Sequence, residues 1–405
     1  MSKFIAKLKE KPLKTLYFAQ FLSAFVDCMI LLISQAIITR DGYPSYYLPF
    51  VQVTFIIMFV VLSPWVGRFA DNKPKAVVLM IANMIKTVGL ALFALRFDPA
   101  ISYSIVGIGA VLYNPGKFGI LPFLTNSEDE LLKANAKLES YSIIAILAGT
   151  IAGGYFSDIS IHLAIIAGLV LYGLSIAVNM LLPKDAGDKS IRYSNAIPDF
   201  IGDVASLFKN RKISFSVIGT SAFWMSSAVL KIAIFTWVPL TLGITSNAEI
   251  GLIFGLTGIG IAIGAAITPF VITLKSYKKT LWFGLLMGLC VLLTTVINTL
   301  PLTIILMLLL GTFGGIYLVP MNTYLQKVGH KSIGVGKALA AQSFLENIFM
   351  CTGVGAYTLA TKANVHVNTA LATTGFTMLC IIGFLFIFSG VYKKIFFQKV
   401  GRAAV

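Results

Sequence analysis

Six ionisable side chains lie inside otherwise apolar stretches of the chain: Asp27, Lys86, Lys117, Glu139, Lys231 and Glu346. A charge held in hydrocarbon costs roughly 2.5–3.5 kcal/mol even on insertion scales. Left unpaired, the six together would outweigh the roughly 5–15 kcal/mol by which folded proteins are usually stable. They must therefore pair or line a wet path, and three acids against three bases can compensate fully. Groups of this kind suit recognition of a charged solute, ion coupling or gating. Lys117 lies about five residues before the end of its stretch, and Glu139 about as far into the next. On consecutive antiparallel helices that sets them at one level, so a Lys117–Glu139 contact is expected, as structure, as a gate or as part of the binding site. Lys86 reads as a snorkelling or helix-pairing lysine. Asp27, Lys231 and Glu346, near the middle of their stretches, read as substrate-binding or ion-coupling groups.

A second constellation is the polar hinge Gly67-Arg68-Phe69-Ala70-Asp71-Asn72-Lys73-Pro74-Lys75. Gly67 is expected to permit a tight turn. Asp71 is expected to favour the N-terminus of the helix that follows. Arg68 and Lys75 can bridge to neighbouring helix ends, which makes Gly67, Arg68, Asp71 and Lys75 a candidate gating loop. A later hinge, Leu274-Lys275-Ser276-Tyr277-Lys278-Lys279, keeps the basic charge and lacks the acid.

The elements that must carry these residues are membrane helices. The 405 residues are 57% hydrophobic and 12% charged, where soluble domains carry about 25% charged residues. Apolar runs fall near residues 15–38, 47–66, 76–95, 100–122, 136–157, 162–182, 213–241, 248–273, 280–299, 302–325, 336–360 and 367–391. About 20 such residues span the hydrocarbon core, where only a helix satisfies its own backbone. Glycines from Gly149 to Gly154 and from Gly251 to Gly264 are expected to let helices approach closely. One set of hinges, with both chain ends, holds 26 Lys and Arg, and the alternate set holds only Arg40, Arg96 and Lys362. That bias places both termini in the cytoplasm and requires an even number of spans.

The longest polar stretch, 183–212, divides the chain into six-helix bundles at 1–182 and 213–405, joined by a cytoplasmic linker. A weak repeat supports the division. Tyr113-Asn114-Pro115 matches Leu318-Val319-Pro320, and Lys133-Ala134-Asn135-Ala136 matches Lys337-Ala338-Leu339-Ala340. On this alignment Asn322 replaces Lys117 and Gln342 or Ser343 replaces Glu139, so the charged pair is expected in the first half alone.

Enzyme chemistry finds no footing. Gly334-Val335-Gly336-Lys337-Ala338 fails as a phosphate loop, because Lys331 stands where its first glycine belongs and Ala338 where Ser or Thr is needed. His162, His330 and His366 begin no acyltransferase His-x4-Asp motif. Cys28, Cys290, Cys351 and Cys380 lie in apolar runs without CxxC spacing, so neither disulfide nor zinc site is expected. No metal and no cofactor is expected from these residues. The net charge of +16 sits in short hinges between spans, a topology signal and not a nucleic-acid surface. Residues 1–14 read as a cytoplasmic lead-in and not a cleaved signal. A transporter of some small amphipathic solute and a non-transporting scaffold or sensor both remain open, though buried charges gain a scaffold little.

At these residues the sequence resembles the major facilitator superfamily, and within it the bacterial lysophospholipid transporter family. The hinge after the second run looks like that superfamily's cytoplasmic loop signature. The closer matches are Ala19-Gln20-Phe21-Leu22-Ser23-Ala24-Phe25 with Asp27, Ala82-Asn83 with Lys86, Tyr113-Asn114-Pro115-Gly116-Lys117-Phe118-Gly119 and Lys133-Ala134-Asn135 with Glu139. In the second half they are Gly219-Thr220-Ser221, Phe223-Trp224, Trp237-Val238-Pro239, Leu242-Gly243-Ile244-Thr245, Val319-Pro320-Met321-Asn322 and Glu346-Asn347. The chain departs from the family's pattern at Val26 for Gly, Cys28 for Asn and Lys231 for Arg. The resemblance implies an all-α major facilitator fold of twelve helices in two six-helix pseudo-repeats, monomeric, in the bacterial inner membrane. It implies a lysophospholipid substrate taken from membrane lipid and flipped to the cytoplasmic leaflet by rocking of the halves. Lys117 or Lys231 would meet the phosphate, and Asp27 or Glu346 the ammonium of an ethanolamine head. Reacylation would fall to a separate acyltransferase.

Overall fold

A computed structural model describes residues 10–388 except 192, 210, 273–277 and 333–334. Undescribed as well are the side chains of 128–129, 131–133, 135–136, 139, 143, 212, 269, 326–332 and 335–340. The helices, in chain order, are α1 Pro12–Arg40, α2 Tyr47–Asn72, α3 Lys75–Ala94, α4 Pro99–Gly119, the single turn α5 Leu121–Leu124, α6 Glu128–Ile159 and α7 Ile161–Asn179. Then come α8 Ala196–Lys209, α9 Arg211–Leu242, α10 Asn247–Val271, α11 Thr280–Leu293, α12 Leu300–Ser332, α13 Val335–Lys362 and α14 Val367–Phe388. Among the described residues nine helices are long and apolar enough to cross a membrane, and Thr280–Leu293 is a shorter apolar one. The chain is a multi-pass membrane protein.

Local sequence sets the helix ends. Pro12 and Pro99 stand in first turns, where a missing N–H costs nothing. Asp98 caps α4, accepting from Ala100 N at 2.8 Å. The fourth apolar run breaks after Gly119 because Pro122 has no N–H to give Phe118 O, and Leu121 starts a separate single turn. The ninth run stops being helix at Leu293, six residues short of its apolar end. There the Thr294 and Thr295 hydroxyls donate to Val291 O and Leu292 O, each at 2.7 Å, taking carbonyls of the last turn.

The described residues divide into two units: those within Met1–Asp199 and Ile244–Gly255, and those within Phe200–Gly243 and Leu256–Val405. In the first, α1 packs on α6 and α7, and α3 on α4 and α7. In the second the same scheme recurs: α9 packs on α13 and α14, and α11 on α12 and α14. Glycine makes the closest approaches. A Cβ at Gly149 would lie 2.2 Å from Phe25 O in α1, and one at Gly264 would lie 2.1 Å from Thr312 O in α12. The glycine runs are therefore packing surfaces, as their spacing leads one to expect.

Candidate functional site

In the first unit a polar cluster closes around Asp27 of α1. Lys86 Nζ, from α3, donates to Asp27 Oδ2 at 2.7 Å and to Ser23 Oγ at 3.0 Å. Tyr172, from α7, donates to Asp27 Oδ1 at 2.6 Å. Asn83 and Ser175 extend the network: Ser23 Oγ donates to Asn83 Oδ1 at 2.8 Å, and Asn83 Nδ2 to Ser175 Oγ at 2.9 Å. The Lys86 ammonium also lies 4.5 Å from the centre of the Tyr113 ring, a cation–π contact with α4. Its stem passes Gly109, where a Cβ would come within 2.5 Å of Lys86 Cγ. Two helices besides α1 thus hold the aspartate, and α4 holds its lysine.

The second unit holds a cluster without a cation. Gln342 Nε2, on α13, donates to Glu346 Oε1 at 2.6 Å and Asn322 Oδ1 at 2.9 Å, and lies 3.2 Å from Thr220 Oγ1. Two amide hydrogens face three oxygens, so the Thr220 hydroxyl is free to turn toward the carboxylate. Among the described residues no ion pair involves Glu346 or Lys231. Lys231 is half-buried on α9, eleven residues beyond Thr220. At 1.5 Å per residue that is about 16 Å along the axis. Lys231 thus stands well along α9 from the hydroxyl that meets the Gln342 cluster.

The hinge corrects two expectations. Gly67 makes no turn: α2 continues through it to Asn72, and the chain turns at Lys73-Pro74, where proline ends the helix. Asp71 does not serve the N-terminus of α3. It lies in the last turn of α2, 3.3 Å from Lys75 Nζ, while Asp185 Oδ1 accepts from Lys75 N at 2.5 Å. The linker supplies the acids. Arg68 donates to Asp199 Oδ2 at 2.5 Å and to Asn195 O at 3.2 Å, and Asp188 N donates to Asp71 O at 2.8 Å. Ser190 donates twice to Asp188, which holds that carboxyl below its usual range.

The Lys117–Glu139 contact falls outside the described residues, since the Glu139 side chain is among those not described. Its counterpart in the second half is present in uncharged form, as the Gln342–Asn322 hydrogen bond. Sequence reasoning passed over Tyr172 and the linker acids, and named Gln342 only as a replacement for Glu139. Their signal was weak: one hydroxyl or amide in an apolar run reads as an interfacial or helix-bonded side chain until another helix brings a charge to it.

Two helical units with one packing scheme, each carrying buried polar groups on its inner helices, define a polytopic secondary transporter. The family model described as Major Facilitator Superfamily matches residues 16–354. A protein named Lysophospholipid transporter LplT from Photorhabdus laumondii subsp. laumondii is 36% identical over 371 residues, 91% of this chain and 93% of its own length. One of the same name from Yersinia enterocolitica is 36% identical over 86% of this chain and 87% of its own. Among solved structures, the nucleoside transporter NupG superimposes with a TM-score of 0.68 at 14% identity, covering 96% of this chain and 99% of that one. A bacterial homolog to the human lysosomal transporter Spinster gives 0.66 at 13%, covering 95% and 96%. At those identities the likeness is one of fold. The chain belongs to the major facilitator superfamily and, within it, to the bacterial lysophospholipid transporter family.

Proposed function

We propose that this chain moves lysophospholipids, such as lysophosphatidylethanolamine and lysophosphatidylglycerol, across the bacterial inner membrane to the cytoplasmic leaflet by alternating access. A separate acyltransferase then restores the second acyl chain. One observation carries the reading: 36% identity over nine-tenths of the chain to a protein named Lysophospholipid transporter. The site chemistry agrees with it. A lysophospholipid has one polar head to bring through, while its tail stays among apolar groups. Lys231, without an acidic partner among the described residues, is the group for the phosphate. Glu346, held only by neutral side chains there, is the group for an ethanolamine ammonium. The offset between Lys231 and Thr220 has the head meet them in succession.

Asp27 already has its cation in Lys86, so its role is coupling: an entering Na+ or H+ competes with the ammonium for the carboxylate. Lys117 and Glu139 form a cytoplasmic-side pair. Gly67, Arg68, Asp71 and Lys75, tied to the linker acids, gate the same side. The basic asymmetry supports cytoplasmic termini and two six-helix halves. Competition tests the substrate class. Uptake of labelled lysophosphatidylethanolamine into cells should fall with unlabelled lysophospholipid and be untouched by sugars, nucleosides or drugs. Competition by those solutes instead would favour an exporter or symporter of another kind.

A further inference from the structure

The linker helix α8, Ala196-Ile-Pro-Asp-Phe-Ile-Gly-Asp-Val-Ala-Ser-Leu-Phe-Lys209, has two apolar stripes where a strap over a bundle needs one. The first is packed. Leu207 is fully buried in a cluster with Ile213, Val217, Leu325, Ala341 and Leu345, and Val204 lies against it. Phe200 meets Phe344 edge to face at 5.0 Å. The second stripe is open: Ile197, Ile201 and Phe208 are 45%, 60% and 49% exposed. At 100° per residue these three fall within a sector of about 40°, beside the packed stripe, while Gly202, Ser206 and Lys209 lie away from both. Asp199 on the polar side is taken by Arg68.

What covers the open stripe follows from where it ends. α9, a membrane-spanning helix, begins two residues after Lys209. Leu207 and Ile213, the residue that opens its apolar span, share one core cluster, so the last turn of α8 lies level with the first turns of the span. Phe208 is therefore at the depth where head groups meet acyl chains. Lys209 is exposed there, Arg211 is exposed but donates to Phe388 O at 2.5 Å and lies over that residue's ring, and Lys212 follows in the sequence. That is the basic flank expected of a helix lying on anionic lipid. We propose that α8 is a membrane-surface helix. Its Ile197–Ile201–Phe208 stripe enters the head-group boundary on the basic side of the membrane, with Lys209 on the phosphates of anionic lipids. The inference rests on the membrane-spanning character of the chain and is independent of what it transports.

Single cysteines at Ile201, Phe208 and Ser206, in a protein whose four native cysteines are replaced by alanine, test this directly. Each is labelled with an environment-sensitive fluorophore, and the full chain is placed in nanodiscs of phosphatidylethanolamine and phosphatidylglycerol. Lipids spin-labelled high on the acyl chain should quench the probes at 201 and 208 several-fold more than the probe at 206, and aqueous iodide should do the reverse. Exchanging phosphatidylglycerol for phosphatidylcholine should weaken lipid quenching at 208. Iodide quenching at 201 and 208 equal to that at 206 would overturn the proposal. So would shielding of those sites in native membranes but not in nanodiscs, which would make the occupant a protein.

Discussion

Lys86 and Asp27 stand 2.7 Å apart, yet the lysine side chain is 1% exposed and the aspartate 27%. The buried partner is the cation, and the open one is the acid that a solute or ion can reach. Removing one member of a buried pair typically costs about 3–5 kcal/mol, because the other is left uncompensated. Asp27→Asn is expected to lose both transport and thermal stability. Lys86→Met should lose stability at least as much, and the double variant less than the two losses added. Additive losses in thermal unfolding would show that the pair contributes nothing as a pair.

Glu346 makes a contrast. Glu346→Gln keeps a hydrogen-bonding carbonyl for Gln342 Nε2, so the fold should hold while transport is abolished. Gln342→Leu strands Asn322 and Glu346, and should cost about 1–3 kcal/mol in stability. Wild-type flux in Glu346→Gln would remove that residue from the mechanism.

The neutral Gln342–Asn322 bond occupies the place that the repeat gives to Lys117 and Glu139, which supports a contact there in the first half. Lys117→Ala and Glu139→Ala are each expected to be harmful, and the double variant less harmful than their sum. A double variant as inactive as Lys117→Ala, with stability intact and substrate affinity lowered, would assign Lys117 to the lipid phosphate instead.

Glycine sites separate packing from freedom. A methyl group at Gly264 would fall 2.1 Å from Thr312 O, while at Gly67 nothing lies within 4 Å. Gly264→Ala should cost at least about 1–3 kcal/mol through overpacking. Gly67→Ala, in a helix interior, should raise stability by about 0.5–1 kcal/mol. Lost transport together with that gain in melting temperature would mark Gly67 as a gating position. Equal stability for the two variants would contradict the packing assigned to α10 and α12.

Hydropathy made the spans legible, because lipid forces apolar length and helix together. The isolated charges were legible for the same reason: each is conspicuous by its cost. The choice of partner was not. Lys86 and Asp27 lie 59 residues apart on non-consecutive helices, and depth arguments relate only neighbours along the chain. Nor could composition show that Asp185 and Asp199 return to Lys75 and Arg68, since a polar linker reads the same whether it hangs free or is strapped down. Gly67 misled because glycine permits a turn without requiring one.

The central claim is that this chain moves a lysophospholipid from one leaflet to the other. Purified protein in liposomes carrying labelled lysophosphatidylethanolamine in one leaflet tests it most directly, by following how fast label appears in the other. Transfer well above that of protein-free liposomes, abolished by Glu346→Gln and strongly reduced by Lys231→Ala, is the predicted result. Transfer no faster than in protein-free liposomes, with folded protein present, would contradict it.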